Sequence, residues 1–262
     1  MTQVAAKDDT SALQLENAWK MFGHVIALRG VDLTARVGEV MAVVGDNGAG
    51  KSTLVKVLAG MYRLDDGRLT VNSEIVHRGD PRKSQQLGVS TVFQDLALIE
   101  TLDVADNMYL GAPITRFGIF TDKKAMRDGA ARTLAELKVR VPSVRIPIGE
   151  LSGGQRQCVA IARAVLQDNP IIVMDEPTAA LGVRETAQVG RIIEELKSRG
   201  KAVVLISHDL EFVFAHADWI QVLRLGRVQG VRKVSATNRE EIVGLITGLV
   251  DLHASTNQTE AR

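Results

Sequence analysis

What the chain lacks narrows its class before any motif is read. One cysteine, Cys158, in 262 residues excludes an internal disulfide and suits a reducing compartment. Aromatic residues make up 4% of the sequence, too few for the base-stacking platforms of single-strand binders. The formal net charge of +1 leaves no broad basic field to attract nucleic acid, and no acidic field either. No apolar run approaches the ~20 residues needed to span a bilayer. Residues 1–12 lack the basic-then-apolar pattern of a signal peptide. Any link to a membrane is therefore expected to run through a partner.

What is present is ordinary for a globular chain, 45% hydrophobic and 24% charged, and its length fits a core with one or two inserted lobes. The organising stretch is Gly45-Asp46-Asn47-Gly48-Ala49-Gly50-Lys51-Ser52, a G-x-x-x-x-G-K-S loop. The apolar run 40–44 precedes it, and Thr53 opens the helical pattern that follows. Glycines let successive backbone N–H groups turn inward, and a helix N-terminus adds partial positive charge. Lys51 can then reach the β- and γ-phosphates of a nucleotide, and Ser52 offers a hydroxyl to Mg²⁺.

Four segments, 40–44, 89–93, 171–174 and 202–206, read as core strands. Each runs into a polar group: the glycine loop, Gln94, Asp175-Glu176, and Ser207-His208. Three are near-continuous apolar runs, as expected for parallel strands buried on both faces. Ligands of open α/β sheets bind beyond the carboxyl ends of the strands, so the four ends predict one shared site. Segments 13–21, 25–28 and 31–37 read as short strands broken by Gly23 and Gly30. Segments 103–110, 121–139 and 153–167 read as helices with no convincing strand among them, so 95–168 predicts a helical lobe. A helix over 183–199, a hairpin around Gly226 and a helix over 238–247 follow. Residues 1–12 and 251–262 are expected to be flexible tails, flanking one nucleotide-binding unit over 13–250.

Asp175 and Glu176 form a paired carboxylate at a strand end. The first can hold Mg²⁺, and the second can polarise an attacking water. His208 can hydrogen-bond the γ-phosphate or that water. Phe22 is either a half-buried turn aromatic or a ring stacked on a nucleobase. The stretch Leu151-Ser152-Gly153-Gly154-Gln155 opens a helix with an S-x-x-Q capping box. Two glycines in a first turn cost helix stability, ~1 kcal/mol each relative to alanine, and a plain cap has no use for them. Bare N–H groups beside a hydroxyl make a second anion site, one that need not face the chain's own glycine loop.

Taken in order, these motifs resemble the nucleotide-binding subunit of an ATP-binding cassette (ABC) transporter over roughly residues 13–250. The glycine loop is similar to Walker A, Gln94 to the Q-loop, and Leu151 to Gln155 to the signature. Residues 171–176 resemble Walker B, His208 the switch histidine, and Phe22 the adenine-stacking aromatic. The resemblance implies an α/β fold: a P-loop NTPase, RecA-like core with a mostly parallel sheet, an antiparallel β subdomain and an inserted helical subdomain. It implies ATP and Mg²⁺, with Gly45, Asp46, Asn47, Gly48, Ala49, Gly50, Lys51, Ser52 and Thr53 around the nucleotide. Ser52, Gln94 and Asp175 would surround the metal; Glu176, His208, Lys51 and Gln94 would serve hydrolysis. Ser152, Gly153, Gly154 and Gln155 would reach the ATP of a second copy in a homodimer.

The stretches 45–60, 92–98, 103–111, 176–186 and 240–248 are similar to bacterial monosaccharide importers of the ribose, xylose and fructose type, here in single-cassette form. That implies a peripheral ATPase on the cytoplasmic face of the bacterial inner membrane, driving integral permease subunits docked near 94–111. A periplasmic or extracellular sugar-binding protein would act indirectly, and no nucleic acid is expected. Rival readings are an importer of another solute such as branched-chain amino acids, or a soluble mechanical ATPase acting on nucleic acid or ribosomes. One departure from the family pattern is Ala180-Leu181-Gly182, where Ser/Ala-Leu-Asp is usual. It removes a carboxylate from cross-dimer communication and leaves Glu176 and His208 in place.

Overall fold

The computed structural model describes residues 11–76, 79–117 and 119–249. Residues 1–10 and the expected C-terminal tail lie outside them. Ser11–Phe22 (β1) and Val25–Arg36 (β2) form an antiparallel hairpin, so the first strand begins inside the stretch expected as a tail. Gly30 does not break β2. It takes φ of 66° opposite Asn17, at φ 45°, and the ladder shifts register there. A bulge of this kind absorbs a glycine without ending the strand. Val40–Val44 (β3) then leads through the glycine loop into Lys51–Leu58 (α1). Asp66–Val71 (β4) pairs with the other edge of β1, and Glu74–Ile75 (β5) completes a four-stranded antiparallel sheet.

Pro81–Gln86 (α2) starts on Asp80, whose carboxylate accepts from the N–H groups of Arg82 and Lys83, and Val89–Val92 (β6) follows. Next come Val104–Met108 (α3), the two-residue strands Thr115–Arg116 (β7) and Phe120–Thr121 (β8), Lys123–Glu136 (α4) and Gly153–Leu166 (α5). The β7–β8 ladder corrects the expectation of helices alone here; two-residue strands are too short to leave a period. Asp122 caps α4 by accepting from Ala125 N–H at 2.9 Å.

Ile171–Asp175 (β9), Val183–Ser198 (α6), Ala202–Ile206 (β10) and Leu210–His216 (α7) return the chain to the core. Trp219–Arg224 (β11), Arg227–Lys233 (β12) and Arg239–Thr247 (α8) complete it. The main sheet has the order β12-β11-β3-β10-β9-β6, parallel except for β12. The hairpin around Gly226 therefore extends the core sheet instead of standing alone.

Every residue of β3, β9 and β10 is buried. Alternate residues serve different cores, as the two-residue period of a strand requires. Ile172 and Met174 of β9 pack into the cluster under α5 and α6, with Val189, Ile192 and Ile193. Ile171 and Val173 face the opposite cluster, with Leu54, Val55 and Leu58 of α1 and the inner face of the antiparallel sheet. A sheet covered on both faces leaves its strand ends as the place where polar side chains can gather.

Candidate nucleotide site

Because β3, β6, β9 and β10 run parallel, their carboxyl ends share one edge. Lys51, Ser52, Thr53, Gln94, Asp175, Glu176 and His208 all line a single cleft of about 390 Å³ there. Asn47, Gly48 and Gly50 line it from the glycine loop, and Ala179 from the loop after β9. The four strand ends singled out in the sequence thus converge on one volume. Val25, Ile26 and Ala27 complete its wall. Ala27 comes close against Gly50 of the glycine loop, and no sequence signal marked these three residues.

The glycine loop is shaped by close approaches. Gly50, the N-cap of α1, takes φ of 107°, and a Cβ on it would stand 2.6 Å from the Ala27 carbonyl oxygen. No side chain therefore fits. The first turn of α1 has no side-chain cap and no acidic residue, so its N–H groups and dipole are available to an anion. The Lys51 ammonium donates to the carbonyl oxygens of Gly45 at 2.6 Å and Asp46 at 3.0 Å. This folds the lysine back over the loop that precedes it.

Opposite stands the carboxylate pair. Asp175 is 8% exposed, and burial, reinforced by the neighbouring Glu176 charge, raises its carboxyl above the ordinary aspartate range. Glu176 takes φ of 50°, a conformation that costs free energy for a non-glycine residue. It is anchored by its N–H, which donates to the Ile206 carbonyl oxygen at 2.9 Å. Among the described residues no group of three His, Cys, Asp or Glu side chains could form a metal cage. The donors at hand are a buried carboxylate, a hydroxyl and an amide in one cleft. That set suits Mg²⁺, which keeps waters and shares phosphate oxygens instead of filling a protein cage.

Phe22 is 43% exposed and is not among the residues lining the cleft, although its ladder partner Val25 is. Its ring meets Tyr62 edge-on, with centroids 5.2 Å apart. Gln94 is followed by a loop tied down by residues that sequence reasoning passed over. Arg163 donates to the carbonyl oxygens of Leu96 and Ala97, and the fully buried Asn107 bonds both the N–H and the carbonyl of Ile99. A buried asparagine inside a helical pattern was the signal available.

The second glycine turn lies elsewhere. Ser152 Oγ accepts from Gln155 N–H at 3.2 Å, and Gln155 Oε1 accepts from Ser152 N–H at 3.1 Å, closing the expected capping box. None of Ser152, Gly153, Gly154 and Gln155 lines the cleft around Lys51. Gly153 lines a neighbouring groove with Gln94 and residues 179–181. A Cβ on Gly153 would meet nothing within 4 Å, so its turn is open to an approaching group.

Comparison with known proteins agrees with this geometry. The family model described as ABC transporter matches residues 28–179. The chain is 41% identical over 235 residues to the xylose/arabinose import ATP-binding protein XylG of Sulfolobus acidocaldarius, covering 90% of this chain and 93% of that one. It is 39% identical to the fructose import ATP-binding protein FrcA of Rhizobium meliloti, over 87% of this chain and 91% of that one. It also superposes, with a TM-score of 0.74 and 26% identity, on an ATP-binding cassette solved as a dimer in a post-hydrolysis state with ADP and Pi. That match covers 85% of this chain and 98% of the other.

Proposed function

The chain belongs to the ABC transporter family, and from that premise we propose that it powers monosaccharide import through a partner permease. It is an ATP-binding and ATP-hydrolysing transport subunit; the sugar class rests on the xylose/arabinose and fructose importers among its relatives. The observation that carries the reading is the gathering of Lys51, Ser52, Gln94, Asp175, Glu176 and His208 in one cleft while the Ser152 turn faces elsewhere.

In this reading Lys51 and the first turn of α1 hold the β- and γ-phosphates. Ser52, Gln94 and Asp175 would hold Mg²⁺, which would supply neutralisation of the developing phosphate charge. Glu176 takes the proton of the attacking water, and His208 orients Glu176 and the γ-phosphate. Ser152, Gly153, Gly154 and Gln155 belong to the ATP of a second copy. Each site is then complete only in a homodimer, so binding draws two copies together and hydrolysis releases them.

Among the described residues no helix is long and apolar enough to cross a membrane. The subunit would act from the cytoplasmic face, with the loop after Gln94 against permease helices. The test is to purify the chain with its membrane partner and measure ATP-dependent uptake of labelled pentoses and hexoses. Uptake of one of them, abolished by Lys51→Ala, supports the proposal. Uptake of a branched-chain amino acid instead would overturn the sugar assignment.

A further inference from the structure

Glu185 lies in the first turn of α6, but its side chain reaches beyond that helix. A Cβ added to Gly154 would collide with Glu185 Cγ and stand 2.9 Å from its Cβ and 3.3 Å from its Cδ. Gly154 sits in the first turn of α5, so the aliphatic stem of Glu185 lies directly on the backbone of that turn. Oε2 of the same residue is 2.8 Å from where a Cβ on Gly182 would fall. Gly182 ends the loop that leaves β9 through Glu176, and it N-caps α6 without a side-chain hydrogen bond. One side chain therefore touches both the glycine turn of α5 and the loop that carries Glu176.

Its surroundings separate this contact from a routine ion pair. The adjacent cleft, about 500 Å³, is lined by Lys138, Arg140, Arg184 and Arg191 as well as Glu185. Yet the Glu185 side chain makes no hydrogen bond or ion pair among the described residues. What remains to hold it is the positive end of α6 and the packing of its stem on Gly154. The two glycines then do different things. Gly153 is open to whatever approaches from outside, and Gly154 makes room for Glu185.

We infer that Glu185 is a positioning residue whose stem sets the Ser152-Gly153-Gly154 turn against the loop 177–182. It keeps the phosphate site offered to the second copy in register with Glu176. The inference rests on the composite-site reading above. It also places a side-chain link where Gly182 lacks the carboxylate usual in the family.

The experiment is ATP-driven dimerisation of the full chain in a Glu176→Gln background, followed by sedimentation, with ADP titration reporting each chain's own glycine loop. Glu185→Ala is expected to raise the ATP concentration for half-dimerisation about tenfold or more, the cost of a displaced contact group. Its ADP affinity should be unchanged. Glu185→Gln keeps the stem and loses only the attraction to the positive end of α6, so it should stay within about fivefold of the parent. Dimerisation of Glu185→Ala at the parent's ATP concentration overturns the inference. So does equal failure of Glu185→Gln, which would assign the effect to charge, and so does loss of ADP binding in Glu185→Ala, which would reveal a general defect. A Glu176→Gln parent that does not dimerise with ATP would bring down the composite-site reading itself, and this inference with it.

Discussion

Oε2 of Glu176 lies 2.7 Å from Nδ1 of His208, joining the ends of two adjacent strands. β9 and β10 pair in register from Ile171↔Ala202 to Asp175↔Ile206, so the residues just beyond emerge side by side. The carboxylate is sheltered, with its side chain 12% exposed, while the imidazole is 71% exposed. A sheltered carboxylate held by a second group that also faces the cleft suits the proposed activation of water.

Glu176→Gln keeps the shape of that side chain and removes the proposed base. Hydrolysis is expected to fall by about 10²- to 10⁴-fold, the usual share of general base catalysis, while ATP affinity is retained. Single-turnover measurements with excess protein check this. An unchanged rate would remove Glu176 as the base. His208→Ala is expected to lower the hydrolysis rate without loss of ADP binding.

Asp175 links stability to pH. Burial and the Glu176 charge raise its folded-state pKa above the unfolded one. The stability it contributes is therefore fully present below the unfolded value and lost as pH rises through the folded value. Asp175→Asn is expected to raise Tm at neutral pH while weakening Mg²⁺-dependent hydrolysis. The Tm gap between the two chains should close on acidification, and a gap independent of pH would contradict this assignment.

Cys158 is buried on α5, and desolvation, aided by the Glu185 charge, pushes its thiol up to about 11. The thiolate is the reactive form. Alkylation at pH 8 is expected to proceed only through opening of the fold, so its rate should rise with sub-denaturing urea. Fast labelling of the native chain would show that the thiol is accessible.

Ser152→Ala removes the capping box at the head of α5. The expected cost is about 1 kcal/mol of stability, measured by urea unfolding, together with weaker ATP-driven dimerisation. ADP binding, which needs only the chain's own glycine loop, should not change. Loss of ADP binding would mean that the Ser152 turn serves its own cleft.

The convergence of Lys51, Asp175, Glu176 and His208 was legible because parallel strands buried on both faces leave near-continuous apolar runs that end in polar residues, and Gln94 was legible from its place after the fourth strand. The Ser152 capping box was legible for a local reason, since its partners are three residues apart. Gly30 misled because a glycine that ends a strand and one that forms a bulge look alike until the opposing Asn17 is known. α7 passed unread because seven residues, Leu210 to His216, hold too few turns to show a period. Glu185 could be placed in the first turn of the helix over 183–199, but its partner could not. Its contact with Gly154 depends on how α5 and α6 pack, which no local pattern encodes.

If each nucleotide site is built from two copies, mixing two differently disabled chains should restore one working site. Lys51→Ala removes the phosphate contact but leaves the Ser152 turn intact. Gly153→Asp fits the single chain, where a Cβ meets nothing within 4 Å. In the proposed dimer it would set a carboxylate against the γ-phosphate bound by the second copy. Each variant alone should hydrolyse little ATP, and the mixture should recover activity through one restored composite site. A mixture as inactive as its parts, or a Gly153→Asp chain active alone, would contradict the account.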